Sequence, residues 1–119
     1  MALNKEQFLA VAARPKTKAL DIDGIGEVII SELSALEAER LAVKNFPVGP
    51  DEKVTVSREG HLARWAIATV RNPDGTPMFS DADFEAVAAI PAATLRKIVD
   101  EAKRLNGTTA GADEDAAKN

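Results

Sequence analysis

The stretch DIDGIGEVIISE, Asp21 to Glu32, carries carboxylates at positions 1, 3 and 12 of a twelve-residue window, with Gly26 at position 6 and an apolar Val28 at position 8. Acids at those spacings around a glycine are the marks of an EF-hand calcium loop. Position 5 is Ile25 and position 9 is Ile29, so two side-chain oxygens that such a loop needs are absent. The flanks also differ from a calcium loop, which lies between two helices. Here Leu20 and Ile22 alternate with Asp21 and Asp23, and Val28 and Ile30 alternate with Glu27, Ile29 and Ser31. Period two on both sides of a glycine-containing turn predicts a β-hairpin.

The other chemistry-bearing residues converge no better. Asp81, Asp83 and Glu85 lie two apart, a spacing that does not aim helical side chains at one point. Following Ser80, they fit a helix start, where carboxylates favour the unpaired N–H groups. His61 is the single histidine, without a Ser-His-Asp arrangement or a second histidine for a metal. The glycines Gly24 and Gly26 lack the third glycine and the βαβ setting of a dinucleotide site. Neither an enzyme nor a bound cofactor or metal is expected.

The chain has 119 residues, no cysteine, 45% apolar and 29% charged residues and a net charge of −4. That length predicts one domain with a thin core. Without cysteine there is no disulfide scaffold, thiolate zinc site or thiol nucleophile. No apolar run reaches the roughly 18 residues of a membrane span, and the N-terminus is too polar for a secretory signal. The cytoplasm is the expected address. Basic residues are densest at Arg14, Lys16 and Lys18, beside Pro15. A nucleic-acid surface needs a broader basic stripe with aromatics. A small helical nucleic-acid-binding regulator is therefore the second-ranked function class.

Local signals define the elements that must position these residues. Asn4 and Gln7 form a capping box for a first helix that stops near Ala13, before Pro15, with Phe8, Leu9 and Ala12 on one face. Ser34 and Glu37 cap a second helix, Ala35 to Lys44, with Leu33, Leu36 and Leu41 inward. The Phe46 to Val56 linker, rich in proline, gives no clear prediction, and KVTV is either a short strand or a lead-in. A third helix runs from about Ser57 to Arg71, with Leu62, Trp65, Ala66 and Thr69 or Val70 on its apolar face and Gly60 weakening its first turn by up to ~1 kcal/mol. Trp65 reads as core. Asn72 to Gly75 is a turn of type I chemistry. Ser80 opens a fourth helix, and Pro91 a fifth whose stripe is Leu95, Ile98, Val99, Ala102 and Leu105, ending at Gly107. Residues 108–119 are expected to be a disordered acidic tail after a single domain of residues 1–107. The fold class is α+β, mainly helical with about five helices and one small N-terminal β-hairpin.

One ordered set of motifs goes further. His61 to Gly107 contains an Ala63-Arg64-Trp65 helix, a turn at Asp74-Gly75, the pair Met78-Phe79, Ser80-Asp81 leading into an acidic helix, and a leucine-rich helix closing in Leu105-Asn106-Gly107. Together with the short first helix, the hairpin ending in Glu32-Leu33 and the Ser-capped helix carrying Glu37 and Arg40, this resembles the tail assembly chaperones of long-tailed bacteriophages and prophages. The resemblance spans about residues 3–107. It departs in the Phe46–Val56 linker and at Asn72-Pro73, where acidic residues are expected. The resemblance implies a non-catalytic protein that binds the tape measure protein, keeps it soluble and promotes polymerisation of the tail tube protein around it. It also implies action in the host cytoplasm, absence from the finished virion, and often a longer frameshifted product. The surface expected to bind the rod, or to build a homo-oligomer, is the hairpin with Leu20, Ile22, Ile25 and Ile29. The plainer reading of Leu20 and Ile22 is that they pack on the helices.

Overall fold

A computed structural model describes residues 1–46 and 59–108. The expected tail from residue 109 onward and the linker between Phe46 and Glu59, with KVTV, lie outside the described residues. Among the described residues nine elements run in order: α1 (Lys5–Ala12), β1 (Thr17–Ile22), β2 (Gly26–Ser31), α2 (Ala35–Asn45), α3 (His61–Thr69), β3 (Val70–Arg71), a 3₁₀ turn (Asp81–Asp83), α4 (Phe84–Ala88) and α5 (Ala92–Leu105). The fold is α+β and mainly helical.

The capping chemistry forms as the sequence predicts. Asn4 and Gln7, and Ser34 and Glu37, each exchange side-chain and backbone hydrogen bonds. Such a cap satisfies two N–H groups that a helix leaves orphaned. Ser80 does the same with Asp83, but it opens a 3₁₀ turn and then a separate five-residue helix rather than one helix. Pro91 stands just ahead of α5 as its cap.

The hairpin pairs Thr17 with Ser31 through to Ile22 with Gly26, and the Ile25 N–H donates to the Ile22 carbonyl across the turn at 3.0 Å. The sheet is larger than the sequence implies. α3 ends at Thr69, and Val70 and Arg71 leave it to pair with Ile30 and Ile29 as a third antiparallel strand. Val70 is therefore buried in the sheet, not on a helix face. Periodicity could not separate the two, because an apolar residue at a helix end fits both patterns. β-Branched Thr69 and Val70 lose rotamer freedom in a helix, and Thr69 Oγ1 bonds back to the Trp65 carbonyl at 2.7 Å. Bonding to β2 then satisfies backbone that a helix would have left to water. The chain returns through the Asn72–Gly75 turn, closed by the Gly75 N–H on the Asn72 carbonyl at 2.9 Å, and Pro77 bridges Arg71.

The core lies where α5 packs on one face of the sheet and α3 packs on α5. Ile22, Ile30, Val70, Ala63, Ala66, Ile67, Val87, Leu95, Ile98 and Ala102 form it. The α5 stripe is as expected, with Leu105 only half-buried. In α3 the apolar face is wider than the predicted stripe. Ala63 and Ile67 are buried as well, because α2, α4 and α5 all pack against this helix. Leu33, ahead of α2, is half-buried, and within α2 Leu41 is buried, but Leu36 is 53% exposed. Leu36 lies in the first turn, outside the face that α2 turns to α3.

Gly60 departs from its expected role. It precedes α3 as the cap residue, at φ +76. There its freedom in the left-handed region starts the helix, instead of weakening a helical turn.

Candidate protein-binding surface

The sheet has two faces of different character. Strand alternation and register place Lys18, Leu20, Ile22, Val28 and Ile30 on the face toward α5, and Thr17, Ala19, Asp21, Glu27, Ile29, Ser31 and Arg71 on the other. On the α5 side the joint is closed by charge as well as by packing. Glu101, buried on α5, accepts from Lys18 Nζ at 2.9 Å and also pairs with Arg104. A carboxylate removed from water needs such partners. Asn106, at the end of α5, accepts from the Leu33 N–H at 2.8 Å and donates to the Ala102 carbonyl. It ties the segment after β2 to α5.

The four hairpin residues divide between these faces. Ile22 is 4% exposed and sits in the core, and Leu20 packs against that core. Ile25 stands at the turn, 60% exposed, and Ile29 is half-buried on the outer face. Of the four, Ile25 is the most exposed, Leu20 and Ile29 are half-buried on opposite faces, and Ile22 is closed to a partner.

The carboxylates of the acidic loop are spread along the hairpin. Asp21 faces Glu27 near the turn, whereas Glu32 lies past the far end of β2. Glu32 lies six residue steps beyond Gly26, about 20 Å at ~3.3 Å per residue. The Glu32 carboxylate is already committed to the Lys16 N–H at 2.7 Å. No three His, Cys, Asp or Glu side chains converge as a metal site among the described residues. Asp81 pairs with Lys44 Nζ at 2.8 Å and Asp83 accepts from the Ser80 N–H at 2.9 Å, so these two acids hold structure. His61 lies edge-on to Trp65 with ring centroids 6.4 Å apart, and Lys103 Nζ sits 5.8 Å over the Trp65 ring. Trp65 is half-buried, packed on the core on one side and bordering a shallow groove with Leu33, Leu41 and Phe46 on the other.

Under the outer face, Arg71 is buried and its Nη2 donates to Glu37 Oε2 at 2.9 Å. Burial alone would raise the Glu37 pKa. The Ser34 hydrogen bonds and the Arg71 charge outweigh it and hold the carboxyl below its usual value. Lys18, Lys44, Arg71 and Arg104 each pair with a carboxylate. No described helix is long and apolar enough to cross a membrane.

The most exposed apolar element is α1, which the sequence predicts as a helix with an apolar face but does not single out as a surface. Every residue of α1 is exposed, and Leu3, Phe8, Leu9 and Val11 are all at least half uncovered. The missed signal was isolation: an eight-residue helix followed by Arg14-Pro15, with no packing partner implied by any neighbouring segment.

No protein-family model matches the sequence, and no curated protein matches it. Among solved structures, the chain is similar to the tail assembly chaperone of bacteriophage HK97, with a TM-score of 0.57 at 21% identity over 84% of this chain and 95% of that one. The protein thus has the fold of the HK97 tail assembly chaperone.

Proposed function

We propose that the protein is a phage tail assembly chaperone that acts by covering another chain's apolar surface and transforms no molecule itself. The observation that carries this reading is the fold similarity to the HK97 tail assembly chaperone, which extends over nearly all of that protein. The motifs that suggested the resemblance have structural work in the fold: Ala63 is core, Asn106 latches α5, and Ser80-Asp81 opens the 3₁₀ turn. The client is the tape measure protein, a long helical rod whose apolar stripes aggregate when uncovered. The exposed hairpin tip at Ile25 and the half-buried Ile29 present apolar side chains to such a client. Covering it in the host cytoplasm keeps it soluble until tail tube subunits polymerise around it. A longer frameshifted product would recruit the tail tube protein, and neither product would remain in the virion.

The test is co-expression with the long helical reading frame expected downstream of its gene. The rod should become soluble and co-purify with the chain. A rod that stays insoluble, and does not co-purify in either tag orientation, overturns the proposal. Within the complex, replacing Ile25 by Lys and Ile29 by Thr, which adds no charge opposite Arg71, should abolish co-purification while leaving the melting temperature of the free chain nearly unchanged. Undiminished co-purification rejects those two residues as the contact.

A further inference from the structure

We propose that a basic cleft between α2 and α3 docks an acidic segment of a protein partner, one that brings carboxylates beside an apolar side chain. Arg40 and Lys44 lie one turn apart on α2 and so share a face. Arg64 of α3 and Arg71 of β3 join them, and all four line one cleft of about 280 Å³. Among the described residues its walls also carry two carboxylates, Glu37 and Asp81. Both are already paired, Glu37 with Arg71 at 2.9 Å and Asp81 with Lys44 at 2.8 Å. Four cations against two carboxylates leave an excess of two positive charges, on a chain whose net charge is −4. Arg40 is exposed and pairs with no carboxylate among the described residues.

The geometry favours carboxylates on a protein. Arg71 is buried and bonded to Glu37, and Arg64 Nε donates to Asn45 Oδ1 at 2.7 Å. Both guanidinium planes are thus held by their own chain before a partner arrives. A planar fork fixed in advance suits a carboxylate and loses little further side-chain freedom on binding. Between the cations the walls are apolar, with Leu41, Ile67, Pro77 and the half-buried Phe79. An aliphatic or aromatic side chain of the partner leaves water there, and charge attraction strengthens where water is excluded. A nucleic acid is served less well. Its backbone needs cations spaced along a track, with aromatic rings for stacking. Here cations from α2, α3 and β3 converge on one small cleft that also holds two carboxylates. Neither Ile25 nor Ile29 lines the cleft. The docking site is therefore separate from the hairpin tip, and the inference does not depend on tape measure binding.

The probe is a peptide that repeats Asp-Phe-Glu-Leu, blocked at both ends, with a control in which Asn and Gln replace the acids. Titrated into the full-length chain, the acidic peptide should bind saturably, lose affinity as salt is added and shift the Nε–H resonances of Arg64 and Arg71. The control should do none of these. Arg40→Glu should weaken binding at least ~10-fold and keep the melting temperature of the native chain, because Arg40 is exposed. The variant with Ile25→Lys and Ile29→Thr should bind the peptide as the native chain does. Absence of binding overturns the inference, as does equal affinity for the control, or affinity undiminished by Arg40→Glu or lost with the hairpin variant. So does tighter binding of a single-stranded oligonucleotide that shifts the same resonances. A rise in peptide affinity of at least ~10-fold on replacing Asp113, Glu114 and Asp115 by their amides makes the chain's own tail the occupant and overturns it too.

Discussion

Replacing Gly60 by Ala separates sequence reasoning from structural reasoning by the sign of its effect. Placed inside a helical turn, Gly60 would make Ala stabilising by up to ~1 kcal/mol. In the structure the residue lies at φ +76, where an L-side chain costs about 1–2 kcal/mol. A Cβ built there comes within 2.5 Å of Phe84 Cζ and 2.9 Å of Cε2. The ring tip must swing away, and Phe84 packs against the core, so it leaves its preferred rotamer at about 0.5–1.5 kcal/mol. The sum is a loss of ~1.5–3.5 kcal/mol, which in a domain of this size lowers the melting temperature by roughly 5–20 °C. Urea denaturation should show a lower midpoint with an unchanged slope. In a Phe84→Ala background the cost of Gly60→Ala should shrink by the part due to the ring, leaving the backbone part. A Gly60→Ala midpoint at or above that of the native chain would refute the cap assignment.

Asn106→Ala should cost ~1–3 kcal/mol, because the partly buried Leu33 N–H loses its acceptor. Amide hydrogen exchange should show Leu33 losing protection, and unchanged protection would mean that the latch does not hold the segment after β2. Ile22→Ala should cost ~2–5 kcal/mol by leaving a cavity in the core. Ile25→Ala, at the exposed turn, should stay within ~0.5 kcal/mol, and equal costs in thermal melts would contradict the division of the hairpin. Glu37 has its folded pKa lowered, with Ser34 and Arg71 outweighing burial. Its contribution is therefore present above the unfolded value of about 4.3 and is lost as the pH falls through the folded value. Glu37→Gln should flatten that acid limb of the melting-temperature profile, and an unaltered limb would show that the Arg71 pair does not govern it.

What the sequence by itself determined is local. Asn4–Gln7 and Ser34–Glu37 define helix starts because a cap needs only residues three apart. Alternation about Gly24 and Gly26 sets the hairpin register, since a slip by one residue would turn Ile22 and Ile30 out of the core. The α5 stripe was equally legible, because Leu95, Ile98, Val99 and Ala102 repeat at the helical period against a polar remainder. What only the tertiary structure decided depends on neighbours distant in the chain. Val70 and Arg71 became a strand because β2 offered its free edge and Glu37 a counter-charge, facts that no window around residue 70 contains. Gly60 became a cap because the chain there turns beneath Phe84. The candidate site was half legible for the same reason. Alternation could assign Ile22 and Ile29 to opposite faces of a strand. Only packing shows that α5 covers the face of Ile22, leaves Ile29 half-exposed, and leaves every residue of α1 exposed.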